Sequence, residues 1–185
     1  MAESRTADLR AMKALAHPIR QRILTELNQA GEVTSTTLAK ALGVTTGNTS
    51  YNLRVLAEAG FVEEVPGRGN GRERWWRSVA QDVRFPRHSE QDEATRAAFQ
   101  EFNNLALAED QEALQRFLRQ RDELGPWADA LPFSRGVLEV TLGQLEEFFE
   151  EYIALLLKYS NSEQSSADAR SVRAYFLAFP EVAKD

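Results

Sequence analysis

Cysteine is absent from the 185-residue chain, and histidine occurs only twice, at His17 and His88. Disulfides and thiolate-bound metals are thereby excluded, and two histidines so far apart offer no transition-metal cluster. Both are read as structural or solvent-exposed, and neither a metal nor a cofactor is expected. Runs of about eighteen or more apolar residues, the length that crosses a bilayer as a helix, are also missing. The opening MAESRTADLR lacks the apolar core of a secretory signal, so the expected location is cytoplasmic. No nucleophile paired with a base and no phosphate-binding glycine loop is visible, and an enzyme is not expected.

What is present is a division of charge. The net charge is -6, but residues 1–88 carry 13 Lys and Arg against 9 Asp and Glu, while residues 89–185 carry 9 against 19. A basic half joined to an acidic half suits a nucleic-acid face at one end and a self-associating or regulatory part at the other. Acidic helices that merely solvate a surface would give the same totals.

Along the chain, Leu9, Met12 and Leu15 mark one side of a short helix that stops near His17, ahead of Pro18. Pro18 opens a second helix with Ile19, Ile23, Leu24 and Leu27 at helical spacing, and with Arg20 and Arg22 on other faces. A third helix, with Leu38, Ala41 and Leu42 inward, follows the cluster Thr34 to Thr37 and ends at Gly43. Thr45 then caps a fourth helix that runs to Gly60 with Leu53, Leu56 and Ala57 buried. Two helices joined by so short a glycine-containing turn form a helix-turn-helix. Phe61 to Val65 and Glu73 to Val79 read as strands joined by GRGNG, in which Asn70-Gly71 is the favoured tight turn. A hairpin in that position is a wing.

These residues, LAHPIRQRIL followed by TLAKALGVTTGNTSYNLRVLAEAGFVEE and the wing, resemble the ArsR-type winged-helix regulators over roughly residues 8 to 80. The resemblance implies a homodimeric, sequence-specific DNA-binding regulator, usually a repressor released by an effector, with SYNLRVL in the recognition helix. Asn52 departs from the histidine common in the family, and the family's cysteine metal sites cannot exist here.

Geometry supports the same helix without the family. With Leu53 inward, about 100° per residue puts Gly47, Asn48, Tyr51 and Arg54 on the outer arc, flanked by Ser50 and Asn52. Asn48 can pair with an adenine edge and Arg54 with guanine or phosphate, while Thr46, Ser50 and Tyr51 offer hydroxyls. Gly47 permits close backbone approach. Polar residues of this kind more often line a solvated surface, and the wing that follows weighs against that reading here. In the wing, Arg68, Arg72 and Arg74 are candidates for the phosphate backbone or minor groove. Adjacent Trp75 and Trp76 must face opposite sides of their strand.

The polar segment 81–89 reads as a linker, interrupted by Pro86. From about 90 to 124 a long helix repeats Phe99, Phe102, Ala106, Ala113 or Leu114, and Phe117 at helical spacing and is the expected dimerisation element. Beyond Gly125-Pro126, Val137 to Val140 and Val172 to Phe179 are expected strands around a helix whose capping box is Thr141 with Gln144. The aromatic residues here form a core or, less simply, line an apolar effector pocket. The paired glutamates 146, 147, 150 and 151 are a hydrated face.

The expected fold is α+β: a winged helix-turn-helix domain (8–80), a linker (81–89), then an acidic part (90–185) with a long dimerisation helix and a small α/β domain. The expected partners are double-stranded DNA carrying an inverted repeat and a second copy of the chain, with a small-molecule effector as a further candidate. The alternative is a protein-interaction adaptor on a winged-helix scaffold.

Overall fold

A computed structural model describes residues 4–68, 73–160 and 168–183. The chain divides into two compact units, residues 1–130 and 131–185. The first holds β1 (Ser4–Thr6), α1 (Leu9–Leu15), α2 (Pro18–Ala30), β2 (Glu32–Thr34), α3 (Ser35–Leu42), α4 (Thr46–Glu58), β3 (Val62–Glu64), β4 (Trp75–Ser78), β5 (Asp82–Arg84) and α5 (Glu93–Gln120). The second holds α6 (Leu142–Ser160).

The four amino-terminal helices form where capping and spacing direct them. Asp8, Thr34 and Thr45 each accept a hydrogen bond from a first-turn amide of α1, α3 and α4, and Pro18 opens α2. Gly43 closes α3 in the left-handed conformation that a glycine takes without strain. Their apolar faces meet in one core in which Met12, Ile23, Leu27, Leu38, Leu53 and Leu56 are fully buried. In α3 the inward small residue is Ala39, while Ala41 is exposed.

The wing is a three-stranded antiparallel sheet of order β2-β4-β3, so Glu32–Thr34, where no strand was expected, supplies an extra one. Trp76 is buried and Trp75 only half-buried, as strand alternation requires. Residues 69–72, and with them the expected Asn70-Gly71 turn, lie outside the described residues.

Segment 81–89 is structured rather than a free linker. Its β5 pairs in parallel with β1, and Gln81 donates to the Gly60 carbonyl at 2.8 Å. Phe85 packs between Phe99 and Phe102 of α5, with ring centroids 5.2 and 5.1 Å away. A three-residue polar strand carries too few apolar residues for alternation to reveal it. The same contacts anchor α5 to the helix-turn-helix core, against α1.

Close by, Arg5 of β1 donates to the Ala59 carbonyl at 2.8 Å and so caps the end of α4. Gly60 beside it has a φ of 78°, and a Cβ there would lie 2.5 Å from the Arg5 guanidinium. The positive φ calls for glycine, and any Cβ there would also move Arg5 off the Ala59 carbonyl.

In the second unit, Thr141 and Gln144 form the expected capping box of α6, through bonds of 2.9 and 3.3 Å. Phe176 packs against Phe148, Phe149 and Tyr152 at centroid separations of 5.2, 5.9 and 5.0 Å. The expected strands 137–140 and 172–179 do not form, and both segments run as irregular chain. Their β-branched and aromatic content suits a strand, but a strand needs a partner edge, and the second unit has no strand among its described residues.

Candidate nucleic-acid interface

The helix-turn-helix is α3, Gly43 to Thr45, and α4. The turn is short because Gly43 reverses the chain and Thr45 immediately recaps it, its hydroxyl accepting from the Asn48 amide at 3.2 Å. Inside, α4 is fixed by apolar and polar contacts together. Leu53 and Leu56 are fully buried, and the Thr49 hydroxyl donates to the Ser35 carbonyl at 2.8 Å. That bond ties the first turn of α4 to the first residue of α3.

The opposite side of α4 is exposed at Thr46, Gly47, Asn48, Tyr51 and Arg54, with Ser50 half-buried. Tyr51 keeps 61% of its surface exposed, which a ring of that size does only when nothing in the fold covers it. Five of the seven candidates on this helix thus form one open face.

Asn52 does not belong to it. The side chain is 3% exposed, its Oδ1 accepts from Arg20 at 3.4 Å, and its Nδ2 donates to the Asn48 carbonyl at 2.9 Å. The expected flanking DNA contact is corrected to an interior one. A rotation of about 100° per residue from Leu53 already places Asn52 nearer the core than the outer arc, and only its polarity suggested the surface.

Arg20 is likewise interior, not on an outward face. Its Nε donates to the Ala14 carbonyl at 2.5 Å and its Nη2 to the Lys13 carbonyl at 2.7 Å. A cation set on the last carbonyls of α1 is favourably placed against the helix dipole. Burial nevertheless holds its pKa below the usual arginine value, an effect that the neighbouring Tyr51 partly opposes. His17, the residue capping α2, is pushed below its ordinary value first by burial and then by the charge of Arg20.

Residues 15–65 match a family model described as a helix-turn-helix domain. No curated protein matches the chain. Among solved structures, the AntR antimony-specific transcriptional repressor is 24% identical, over 57% of this chain and 78% of that one, with a TM-score of 0.37. NadR in complex with 4-hydroxyphenylacetate is 15% identical, over 84% of this chain and 83% of that one, with a TM-score of 0.36. At such low identity and TM-score neither protein's ligand carries over to this chain.

Around the helix-turn-helix, the wing is less basic than its arginines suggest. Arg68 pairs with Glu32 and lies over the Trp75 ring at 4.2 Å. Arg74 lies 3.4 Å from Glu64, and Arg77 pairs with Glu63, its neighbour across the sheet, at 2.7 Å. Exposed pairs of this kind are weak and exchange partners readily. Arg72 lies outside the described residues.

Sequence reading missed a second cationic element. A shallow groove between α1 and α4 is lined by Arg10 and Lys13 from α1 and by Tyr51 and Val55 from α4. Lys13 is exposed there, while Arg10 is paired with Glu58 at 2.6 Å. Nearly forty positions separate Lys13 from Tyr51 in the chain, so only the fold brings them to one edge.

Proposed function

We propose that the chain is a sequence-specific double-stranded DNA-binding transcription regulator, acting as a homodimeric repressor. The observation that carries this is the exposed face of α4: Thr46, Gly47, Asn48, Tyr51 and Arg54 stand together on a helix rigidly held from behind by Thr49 and Leu53. A second helix of a helix-turn-helix enters the major groove with its amino-terminal residues against base edges, and here those residues are small or amide-bearing. Thr46 and Ser50 serve phosphates, Asn48 and Arg54 the bases, and Gly47 allows close approach. Arg68, Arg72 and Arg74 of the wing follow the flanking backbone, with Arg68 and Arg74 exchanging exposed glutamates for phosphates.

Dimerisation is assigned to α5. Beyond the Phe85 contact it still exposes Leu107 and Leu118, an apolar edge suited to a second copy. Two recognition helices related by a twofold axis would read an inverted repeat, with half-sites roughly 34 Å apart or a multiple of that. Phe148, Phe149 and Tyr152 of α6 pack against Phe176, and the proposal rests on DNA alone. Binding of purified protein to genomic fragments, followed by footprinting of the enriched sites, tests it. Enriched inverted repeats with affinity falling steeply with salt are expected; equal affinity for random duplexes sinks the proposal.

The glutamate pairing of Arg68, Arg74 and Arg77 is the one observation favouring the adaptor reading, because it partners the cations of the wing's described residues. Arg54→Glu separates the two: it abolishes operator binding by a regulator and leaves partner capture by an adaptor intact.

A further inference from the structure

Asn48 and Asn52 stand four residues apart, side by side on one edge of α4. The Asn52 Nδ2 donates to the Asn48 main-chain carbonyl at 2.9 Å and to the Asn48 Oδ1 at 3.0 Å. A main-chain carbonyl only accepts, so the Asn52 atom against it must be the amide nitrogen. That nitrogen only donates, so the Asn48 atom against it must be the oxygen. Arg20 enforces the same polarity from the other side: its Nη1 donates to the Asn52 Oδ1 at 3.4 Å, and a guanidinium has no acceptor. Donation therefore runs one way, from buried Arg20 through buried Asn52 to exposed Asn48. The Asn48 Oδ1 is held inward, and its Nδ2 is left to face outward with no hydrogen bond among the described residues.

We propose that Asn52 is a positioning residue for base specificity, which locks the Asn48 amide so that α4 offers DNA a donor and withholds the acceptor. This rests on the reading of α4 as the base-reading helix. In the major groove a donor meets purine N7, guanine O6 or thymine O4, whereas adenine N6 and cytosine N4 are themselves donors. An unconstrained asparagine reads adenine with both amide atoms, its oxygen on N6 and its nitrogen on N7. With the oxygen held inward the N6 contact is lost, and guanine, which carries acceptors at both N7 and O6, becomes the preferred partner. Asn48, expected from sequence to read adenine, is thereby turned toward guanine by two residues that touch no base.

The experiment is selection of bound duplexes from a random pool by the full chain, comparing the parent with Asn48→Ala and Asn52→Asp. The position whose preference disappears in Asn48→Ala is the one Asn48 reads, and the parent should place guanine there. Asn52→Asp keeps the shape and gives Arg20 a carboxylate to pair with, but it removes the donor. The new carboxylate faces both the Asn48 main-chain carbonyl and its Oδ1, is repelled by both and drawn to Arg20, so the Asn48 amide is released and its oxygen is free to face outward. Preference at that position should then move roughly ten-fold toward adenine or cytosine, the scale of one base contact, with other positions unchanged. Adenine or cytosine at that position in the parent, or an unaltered guanine preference in a folded Asn52→Asp protein, overturns the proposal. Should Asn52→Asp fail to fold, side-chain amide proton exchange in the parent decides. Slow exchange at Asn52 and fast exchange at Asn48 are expected, and fast exchange at both overturns it. A parent that selects no sequence at all overturns the DNA reading and this inference with it. That failure is recognised by its own sign, because the Asn52 amide stays protected while selection is absent.

Discussion

The hydroxyl of Thr49 and the carbonyl of Ser35 meet at 2.8 Å, joining the two helices of the helix-turn-helix where no side chain of either could be seen from sequence to touch the other. Thr49 is fully buried, so the bond has no water to replace it. Thr49→Val keeps the volume and removes a donor shared with the Thr46 carbonyl at 3.0 Å; both carbonyls keep their helical amide partners, so the cost is that of one ordinary hydrogen bond, about 0.5–1.5 kcal/mol. Urea denaturation should show that loss. A midpoint unchanged from the parent would mean that α3 and α4 are held by their apolar faces alone.

Gly60 gives a second stability prediction with a different cause. Its φ of 78° is strained for any residue with a Cβ, and the Arg5 guanidinium occupies the place a Cβ would take. Gly60→Ala should destabilise by about 1–2 kcal/mol from the backbone alone. Displacing Arg5 from the Ala59 carbonyl adds to this. Arg5→Ala in the same background should recover none of the backbone part, which thermal melts of the two variants and their combination would separate.

The four-helix order, the capping residues, the hairpin and the long fifth helix were legible because each has a local signature. Thr45 and Gly43 announce their own turns, and Leu53 and Leu56 keep helical period. What escaped has no local signature. Arg20 and Asn52 are polar, and nothing in their neighbours says that they face each other across α2 and α4. The strand Asp82–Arg84 depends on a partner some eighty residues earlier. Conversely, Val137 to Val140 has strand composition without an edge to pair with, so propensity alone misleads there.

Lys13 beside Tyr51 yields a prediction for the DNA itself. If the exposed ammonium meets a phosphate, Lys13→Gln lowers affinity on every sequence alike and reduces the salt slope by about one. Folding stability should stay within about 0.5 kcal/mol of the parent because the side chain is exposed. Titrations at several salt concentrations check both, and an unchanged slope would place Lys13 off the duplex.

His17 makes stability depend on pH in a defined direction. Burial and the Arg20 charge lower its folded pKa, so the unfolded chain takes up a proton first as the pH falls. The neutral imidazole's contribution is complete above the unfolded value, about 6.5, and is lost progressively below it, down through the lower folded value. Urea midpoints should therefore fall between pH 7 and pH 5, and His17→Gln should flatten that part of the profile. Equal slopes in parent and variant would assign the acid sensitivity to carboxylates.

Leu107 and Leu118 test the dimer separately from the fold. Each is nearly 40% exposed on α5, beyond the Phe85 contact that secures the start of the helix to the core. A single Leu→Glu change at such a site costs the monomer the covered part of the side chain, roughly 1–2 kcal/mol. In a dimer joined along α5 the same change buries two carboxylates against each other, one from each copy, because a twofold interface repeats every substitution. Leu107→Glu with Leu118→Glu should therefore shift the sedimenting species from dimer to monomer while the monomer still melts cooperatively at low protein concentration. Operator affinity should fall sharply for a two-half-site duplex and hardly at all for a single half-site. The loss belongs to avidity, since each recognition helix keeps its own Asn48, Tyr51 and Arg54. An intact dimer in the double variant would remove α5 from the interface and leave the assembly to other residues.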